Sequence, residues 1–156
     1  MDDRATFERK TRAMFARYRG FVAELSFRYI VEIAEYLVEY TPGWENQNPE
    51  ETRYVPTGRL RGGYQYAAQP LATASKWRDG PFSDYGVETV AQIDADMRAA
   101  GAFKSFWIVN DVAYAYIVRR GLGNHESPRN WLGEVSDIST QRLAYRTVLG
   151  KMRGWR

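Results

Sequence analysis

A long helical pattern at the start of the chain constrains the fold more than any other feature. Large apolar side chains recur there at spacings of three or four residues, which places them on one face of an α-helix. The pattern predicts a helix from about Asp3 to Tyr40, ended by Thr41-Pro42-Gly43, because proline cannot continue a helix and glycine ends one readily. The residues of this apolar face are Met14, Tyr18, Phe21, Leu25, Tyr29, Ile33, Tyr36 and Tyr40.

The predicted helix is longer than one small domain needs. At a rise of about 1.5 Å per residue it would approach about 55 Å, so part of it is expected to project toward a neighbouring molecule. Gly20 lowers helix stability by up to about 1 kcal/mol relative to alanine. It therefore marks a bend, or a division into two helices.

The later elements are short and of both types. Runs of aromatic and β-branched residues predict strands, and apolar residues at helical spacing predict helices. The predicted elements are strands at Tyr64–Ala68 and Phe103–Val109, the second of them buried, helices at Val87–Ala99 (ended by Gly101) and Ala113–Arg119, and either a strand or a last helix within Trp131–Leu149. The sequence thus predicts one α+β domain over residues 1–156, in which a long N-terminal helix packs on a small, mostly antiparallel sheet with one or two shorter helices.

Cysteine and histidine usage narrows the chemistry open to the chain. There is no cysteine and one histidine, His125, which excludes thiol catalysis, disulfides and multi-histidine metal sites. Arg120 and His125 have the spacing of a class of helical ribonucleases, but two glycines and an asparagine between them indicate a loop. The sequence predicts a protein that is not an enzyme, with no catalytic residues, no metal site and no cofactor.

The formal net charge of +3 is unevenly distributed. Residues 119–156 carry eight basic and three acidic side chains, a charge of +5, and the rest of the chain is −2. A basic end of this kind contacts either nucleic acid or an acidic neighbouring subunit. On the long helix Glu32, Glu35 and Glu39 share a face, which is either solvated or paired with the basic end of a neighbouring subunit.

The first residues, Met1-Asp2-Asp3-Arg4, are charged, and no apolar segment typical of a signal peptide follows them. Polar residues interrupt every apolar stretch before it reaches the length of a membrane span. The sequence predicts a soluble product made in the cytoplasm, without a membrane partner.

Three segments in a fixed order resemble a known family. They are Tyr40-Thr41-Pro42-Gly43 with Pro56-Thr57-Gly58-Arg59-Leu60-Arg61-Gly62, then Ile108-Val109-Asn110-Asp111-Val112-Ala113-Tyr114-Ala115, then Arg119-Arg120-Gly121-Leu122-Gly123 leading to Ser127-Pro128-Arg129-Asn130-Trp131-Leu132. This order resembles the tail-component family of lambda-like long-tailed phages, the neck or tail-completion proteins. The resemblance covers roughly residues 30–135.

The chain departs from that family in two places. Fourteen residues, 43–56, separate Pro42 from Thr57, where the family has only a few, and their role is open. Arg119-Arg120-Gly121 stands where the family commonly has Glu-Tyr-Gly, so an acidic position has become basic. These departures affect individual contacts more than the fold.

The resemblance implies a structural virion protein of the phage neck. Identical subunits would close into a sixfold or twelvefold ring that joins head to tail, or completes the tail, around the DNA channel. The implied partners are further copies, neighbouring neck and tail proteins and, by weak non-specific contact, the channel DNA; the implied location is the virion.

A closed ring needs two different surface patches on each subunit. Arg59 and Arg61 lie two apart, so on an extended segment they would point to one face and could hold carboxylates or phosphates. With the charge pattern, this predicts interface residues at Arg59, Arg61, Arg119, Arg120, Glu32, Glu35 and Glu39. The alternative function is a non-enzymatic nucleic-acid-binding module that uses the basic C-terminal end.

Overall fold

The structure is a computed structural model and describes residues 3–41, 59–68, 87–102, 104–110, 112 and 131–154. In chain order these ranges contain α1 (Asp3–Tyr40), α2 (Arg59–Gly62), β1 (Tyr64–Ala67), α3 (Val87–Ala100), β2 (Trp107–Asn110), α4 (Trp131–Ser136) and α5 (Ile138–Lys151). The helix predicted at Ala113–Arg119 lies outside the described residues.

Helix α1 has the bounds that the sequence predicts. It continues through Gly20, which therefore does not divide it into two helices. At its end the Thr41 amide donates a hydrogen bond to the Leu37 carbonyl over 3.1 Å, and the Thr41 hydroxyl donates to the same oxygen. Pro42 follows directly, and its ring nitrogen has no hydrogen with which to extend the helical pattern.

The core contacts of α1 come from its second half. Its fully buried side chains recur at helical spacing but one position away from the predicted apolar face. Ile33, Tyr36 and Tyr40 of the predicted face are half-buried and pack against the hydrophobic core cluster that these buried side chains form with other elements. Each fully buried large aliphatic side chain contributes about 1.5–3 kcal/mol. The cluster consists of Ala34, Leu37 and Val38 of α1, Tyr64 of β1, Ile93 of α3 and Val135 of α4.

The two strands pair antiparallel, with Tyr64 opposite Asn110 and Ala67 opposite Trp107. Strand β1 confirms the prediction at Tyr64–Ala68 to within one residue, and its Tyr64 belongs to the core. Strand β2 starts at Trp107 instead of Phe103, and it is not buried, since Trp107 is 37% exposed and the next three residues are half-buried. The prediction of a buried strand is therefore wrong, because an aromatic-rich segment indicates a strand without indicating how much of it is covered.

Helix α3 buries one residue per turn, at Thr89, Ile93 and Met97. Gly101 ends it with a φ of 92°, and its amide donates to the Met97 and Arg98 carbonyls over 3.2 Å each. Glycine adopts this left-handed conformation without the steric cost of a side chain. The predicted helix and its glycine end are confirmed.

The C-terminal segment forms two helices, α4 and α5. The sequence left open whether this segment holds a strand or a last helix, and the structure shows that it is helical. Asp137 begins the second one: its carboxylate accepts a hydrogen bond from the Ser139 amide over 2.7 Å, as an N-cap residue does. Hydrogen bonds from Ser139 lower the pKa of the Asp137 carboxyl. Ala144 and Val148 of α5 and Met152 directly after it, spaced by four residues, are buried, and α5 packs against α1.

The predicted α+β class is confirmed, with a long N-terminal helix packed against a two-stranded antiparallel sheet and shorter helices. The described ranges contain four shorter helices, more than the one or two predicted. Within those ranges, no helix combines the length and the apolarity required to cross a bilayer.

Candidate subunit interface

The first half of α1 extends beyond the core. We call residues 3–20 the arm. All of its side chains are exposed except Thr11, which is half-buried. The arm carries four large hydrophobic residues at high exposure, with Phe7 69%, Met14 60%, Phe15 58% and Tyr18 66% exposed. The expectation that part of the helix projects from the domain therefore fits the arm, which is about 27 Å long.

The arm is also strongly basic. Its six basic and two acidic residues give it a formal charge of +4, whereas residues 21–40 carry four acidic residues and one basic residue, or −3. Glu8 pairs with Arg4 over 3.2 Å and lies 3.9 Å from Arg12. No other ion pair involving the arm is present among the described residues. The basic residues are Arg4, Arg9, Lys10, Arg12, Arg17 and Arg19.

Sequence reasoning missed this basic arm. The charge of −2 summed over residues 1–118 combines the arm with the acidic second half of the same helix, so the two cancel. A sum over each half of the helix finds the arm directly. What the sequence does not contain is the position of the core, which determines that the basic half is the exposed one.

The three predicted glutamates have different environments. Glu32 is 8% exposed at its side chain, and its carboxylate accepts a hydrogen bond from Lys151 Nζ over 2.7 Å. That contact raises the pKa of Lys151. The cation at Glu32 thus belongs to the C-terminal helix of the same chain and not to a neighbouring subunit.

Glu35 and Glu39 remain at the surface. Both are exposed, and no salt bridge joins either to a cation within the described part of the chain. Burial of part of the Glu35 side chain, followed by the like charge of Glu32, raises the pKa of Glu35. Tyr36 and Tyr40 lie beside them, stacked with ring centroids 5.9 Å apart. We call Glu35, Glu39 and these two rings the acidic surface.

A cluster at Glu24 fixes the direction of the arm where it leaves the core. Glu24 accepts hydrogen bonds from Arg28 over 2.6 Å and from Arg98 of α3 over 2.9 Å. Arg98 also contacts Asp94 over 2.8 Å and lies 5.0 Å from the centroid of the Phe27 ring. The Arg98 hydrogen bond holds the pKa of the Glu24 carboxyl below its ordinary value. Because Glu24 lies four residues beyond the arm, α3 holds the base of the arm in place.

Arg61 does not have the geometry that the sequence suggested. Residues 59–62 form the short helix α2, and on a helix two residues that lie two apart point to different sides, so the expectation of two arginines on one face of an extended segment is wrong. Arg61 is half-buried, and its Nε donates to the Thr41 carbonyl over 2.9 Å. It thus satisfies a carbonyl at the C-terminal end of α1. The side chain of Arg59 and all of Arg119 and Arg120 lie outside the described residues.

Residues from two of the three segments that carry the family resemblance meet at this end of α1. Asn110 donates to the Leu60 carbonyl over 2.7 Å and accepts from the Val112 amide over 3.2 Å. The Thr41 hydroxyl lies 2.7 Å from the Tyr64 hydroxyl. Leu60 and Val112 form a small buried cluster with Tyr40 against it. These segments therefore share a structural role, which is to join α1, α2 and the sheet.

Among the described residues, no group of three or more His, Asp or Glu side chains is arranged to hold a metal ion. No protein-family model matches the chain, and neither a curated protein nor a solved structure with significant similarity was found. The residues and their geometry are therefore the basis for any functional proposal.

Proposed function

We propose that the chain is a non-enzymatic structural subunit that assembles with identical copies into a ring in the neck or tail of a long-tailed, double-stranded DNA phage. There it joins head to tail, or completes the tail, around the DNA channel. The observation that carries this proposal is the arm, a basic helical extension with exposed large apolar side chains. Exposed apolar residues in this number, on a segment that its own core leaves uncovered, are typical of an interaction surface.

The phage context is supported by the segments of the family resemblance. Thr41, Leu60 and Arg61 belong to the first of these segments and Asn110 to the second. At the end of α1, Arg61 contacts Thr41 and Asn110 contacts Leu60. A pattern that maintains one structural junction is more informative than the same short segments scattered over the surface. The resemblance is thereby consistent with a shared fold.

Two measurements test the proposed function. Sedimentation velocity of the purified chain, alone and with a neighbouring virion protein, should reveal a species several times the mass of 18.0 kDa. Mass spectrometry of purified virions of the encoding phage should detect the chain as a component. A chain that stays monomeric in both mixtures and is absent from virions contradicts the proposal.

A nucleic-acid-binding module is the second candidate, and the charge of the arm favours it. Arg9, Lys10, Arg17 and Arg19 are exposed and could contact phosphates, in addition to the basic C-terminal end. Such binding weakens steeply with salt because counterions are released from the nucleic acid. Retention of duplex DNA at 50 mM but not 200 mM salt, by a chain that remains monomeric, would favour this candidate.

Nuclease, protease and phosphatase assays test the non-enzymatic part of the proposal. Catalytic turnover that is lost in the His125→Ala variant would contradict it, because His125 is the only histidine of the sequence.

A further inference from the structure

The arm has an apolar side that its own chain leaves exposed to solvent within the described residues. Phe7, Met14 and Tyr18 follow one another at seven and four residues, and Phe21 and Leu25 continue the spacing into the part of α1 that packs on its own chain. This spacing is the seam that a helix presents to a protein partner. The apolar surface of the arm is thus continuous with packing that already exists inside the molecule.

The same chain carries a surface with the opposite charge. Arginine side chains of the arm match the acidic surface in two ways, since guanidinium groups bind carboxylates bidentately and stack on aromatic rings. Glu35 and Glu39 supply the carboxylates, and Tyr36 with Tyr40 supplies the rings. The arm has a charge of +4, and its remaining exposed cations have no acidic partner within the described residues.

Arm and acidic surface cannot meet within one molecule. Both lie on α1, a single continuous helix, and Glu35 lies seventeen positions after Tyr18, about 25 Å along the axis. Because α1 remains helical through Gly20, the arm extends away from the acidic surface of its own chain. Their contact therefore requires two molecules.

We propose that the arm of one copy lies against the acidic surface, Glu35, Tyr36, Glu39 and Tyr40, of the next copy. This inference rests on the proposed ring and names the contact that closes it. Two arms packed on each other would place charges of +4 side by side, which opposes a symmetric arm-to-arm contact. A nucleic acid backbone would neutralise the arginines but leave Phe7, Met14 and Tyr18 uncovered.

This contact is head-to-tail, because one copy gives its arm and receives the arm of another. Such heterologous contacts produce a ring when the rotation between copies closes. The two patches that a ring requires on each subunit are then the arm and the acidic surface, both on α1.

Two charge reversals of the full-length chain test the proposal. The first is Arg17→Glu with Arg19→Glu on the arm, and the second is Glu35→Arg with Glu39→Arg on the acidic surface. Each variant alone should associate at least about tenfold more weakly than the unmodified chain in sedimentation velocity, because each brings like charges together. An equimolar mixture should regain association, since the reversed arm of one variant meets the reversed surface of the other. Circular dichroism checks that each variant is folded.

Lys104→Glu is the control, because it reverses an exposed basic residue that lies outside the arm, the acidic surface and the basic C-terminal end. It should leave association within about twofold of the unmodified chain. The inference is overturned, but the ring is not, if the control weakens association as much as the test variants do. The same holds if the unmodified chain assembles and neither test variant weakens its association. An unmodified chain that never associates overturns both. An arm reversal that abolishes DNA retention without changing association shows that the arm binds nucleic acid, and also overturns the inference.

Discussion

At the residue scale, the buried carboxylate of Glu32 depends on Lys151. The two groups are 119 positions apart in the sequence, and Lys151 is 54% exposed at its side chain, whereas Glu32 is 8% exposed. We expect Lys151→Met to lower the free energy of unfolding by about 1–2 kcal/mol, because it leaves a buried charge unpaired; solvent near Lys151 keeps the loss below that of a fully buried pair. Urea denaturation measures it.

The double variant Glu32→Gln with Lys151→Met should be more stable than Lys151→Met alone, because it removes the uncompensated charge. Lys104→Met is the matched control, since Lys104 is exposed, and it should change stability by less than about 0.5 kcal/mol. A Lys151→Met chain as stable as the control variant would show that Glu32 does not need its partner.

Glu24 should make stability depend on pH. Its pKa is lowered in the folded chain, first by the Arg98 hydrogen bond, so it contributes stability above the ordinary glutamate pKa of about 4.3. That contribution is lost as the pH falls through the lowered pKa. Glu24→Gln should therefore cost about 1 kcal/mol at pH 7 and progressively less as the pH falls below about 4. Urea denaturation of both chains at a series of pH values measures the difference.

The raised pKa of Glu35 acts in the opposite direction, because its protonation favours the folded chain as the pH falls. Subtracting the stability of the Glu24→Gln variant from that of the unmodified chain at each pH removes this effect, since Glu35 is present in both. A cost of Glu24→Gln that is equal at pH 7 and pH 3 would mean that the Glu24 charge contributes no stability.

Arg61 should be a structural residue of the monomer. Its hydrogen bond to the Thr41 carbonyl satisfies the end of α1, so Arg61→Ala should lower the free energy of unfolding by about 1 kcal/mol. Arg142→Ala, at an exposed position of α5, should cost less than about 0.5 kcal/mol. Thermal denaturation of the two variants compares them. Equal stabilities of the two variants would mean that Arg61 does not stabilise the monomer, and would support the interface role that the sequence predicts for it.

The sequence identified several of these residues but not their partners. The sequence places Glu32 on an acidic face that is either solvated or paired with a neighbouring subunit, whereas its partner is Lys151 of the same chain. Asn110 and Leu60 are 50 positions apart, and Glu24 and Arg98 are 74 apart. Contacts at such separations depend on how the elements pack, and a local pattern contains no information about that packing.

At the element scale, local chemistry predicted the ends of elements better than their burial. Thr41-Pro42 and Gly101 ended helices where expected, because proline and left-handed glycine act through their own backbones. The burial of β2 was predicted wrongly, since it depends on what covers the sheet. The segment after Trp131 was ambiguous because the Asp137 cap restarts the helix and interrupts its periodicity.

Removal of the arm should separate folding from assembly. A chain without residues 1–20 keeps the core cluster and the Glu24 contacts, so its free energy of unfolding should change by less than about 1 kcal/mol. It should lose association, because the exposed apolar side chains are gone. Urea denaturation and sedimentation velocity measure the two effects. A loss of cooperative unfolding would show that the arm stabilises the monomer.

Met14→Ser with Tyr18→Ser is the companion variant, since it keeps the arm and its charge but removes two exposed apolar side chains. Reduced association in this variant would assign the effect of the deletion to the apolar side of the arm. Full association would assign it to the basic side chains.

At the scale of the whole molecule, α1 combines two functions in one helix. Its second half builds the core with β1, α3 and α4, and its first half leaves that core with the opposite charge. A sequence that satisfies both halves specifies a domain with a projecting helical arm.

Association between copies should weaken with salt without disappearing. Raising NaCl from 0.05 M to 0.5 M shortens the range of electrostatic interactions from more than about 10 Å to less than about 8 Å, so the attraction between the arm and the acidic surface decreases. The apolar side chains of the arm are not screened and should hold part of the assembly together. Sedimentation velocity over this range should show a gradual weakening of about tenfold, and the Arg17→Glu, Arg19→Glu variant should show a smaller salt dependence than the unmodified chain. Association that salt leaves unchanged in both chains would show that charge does not contribute to the contact between copies.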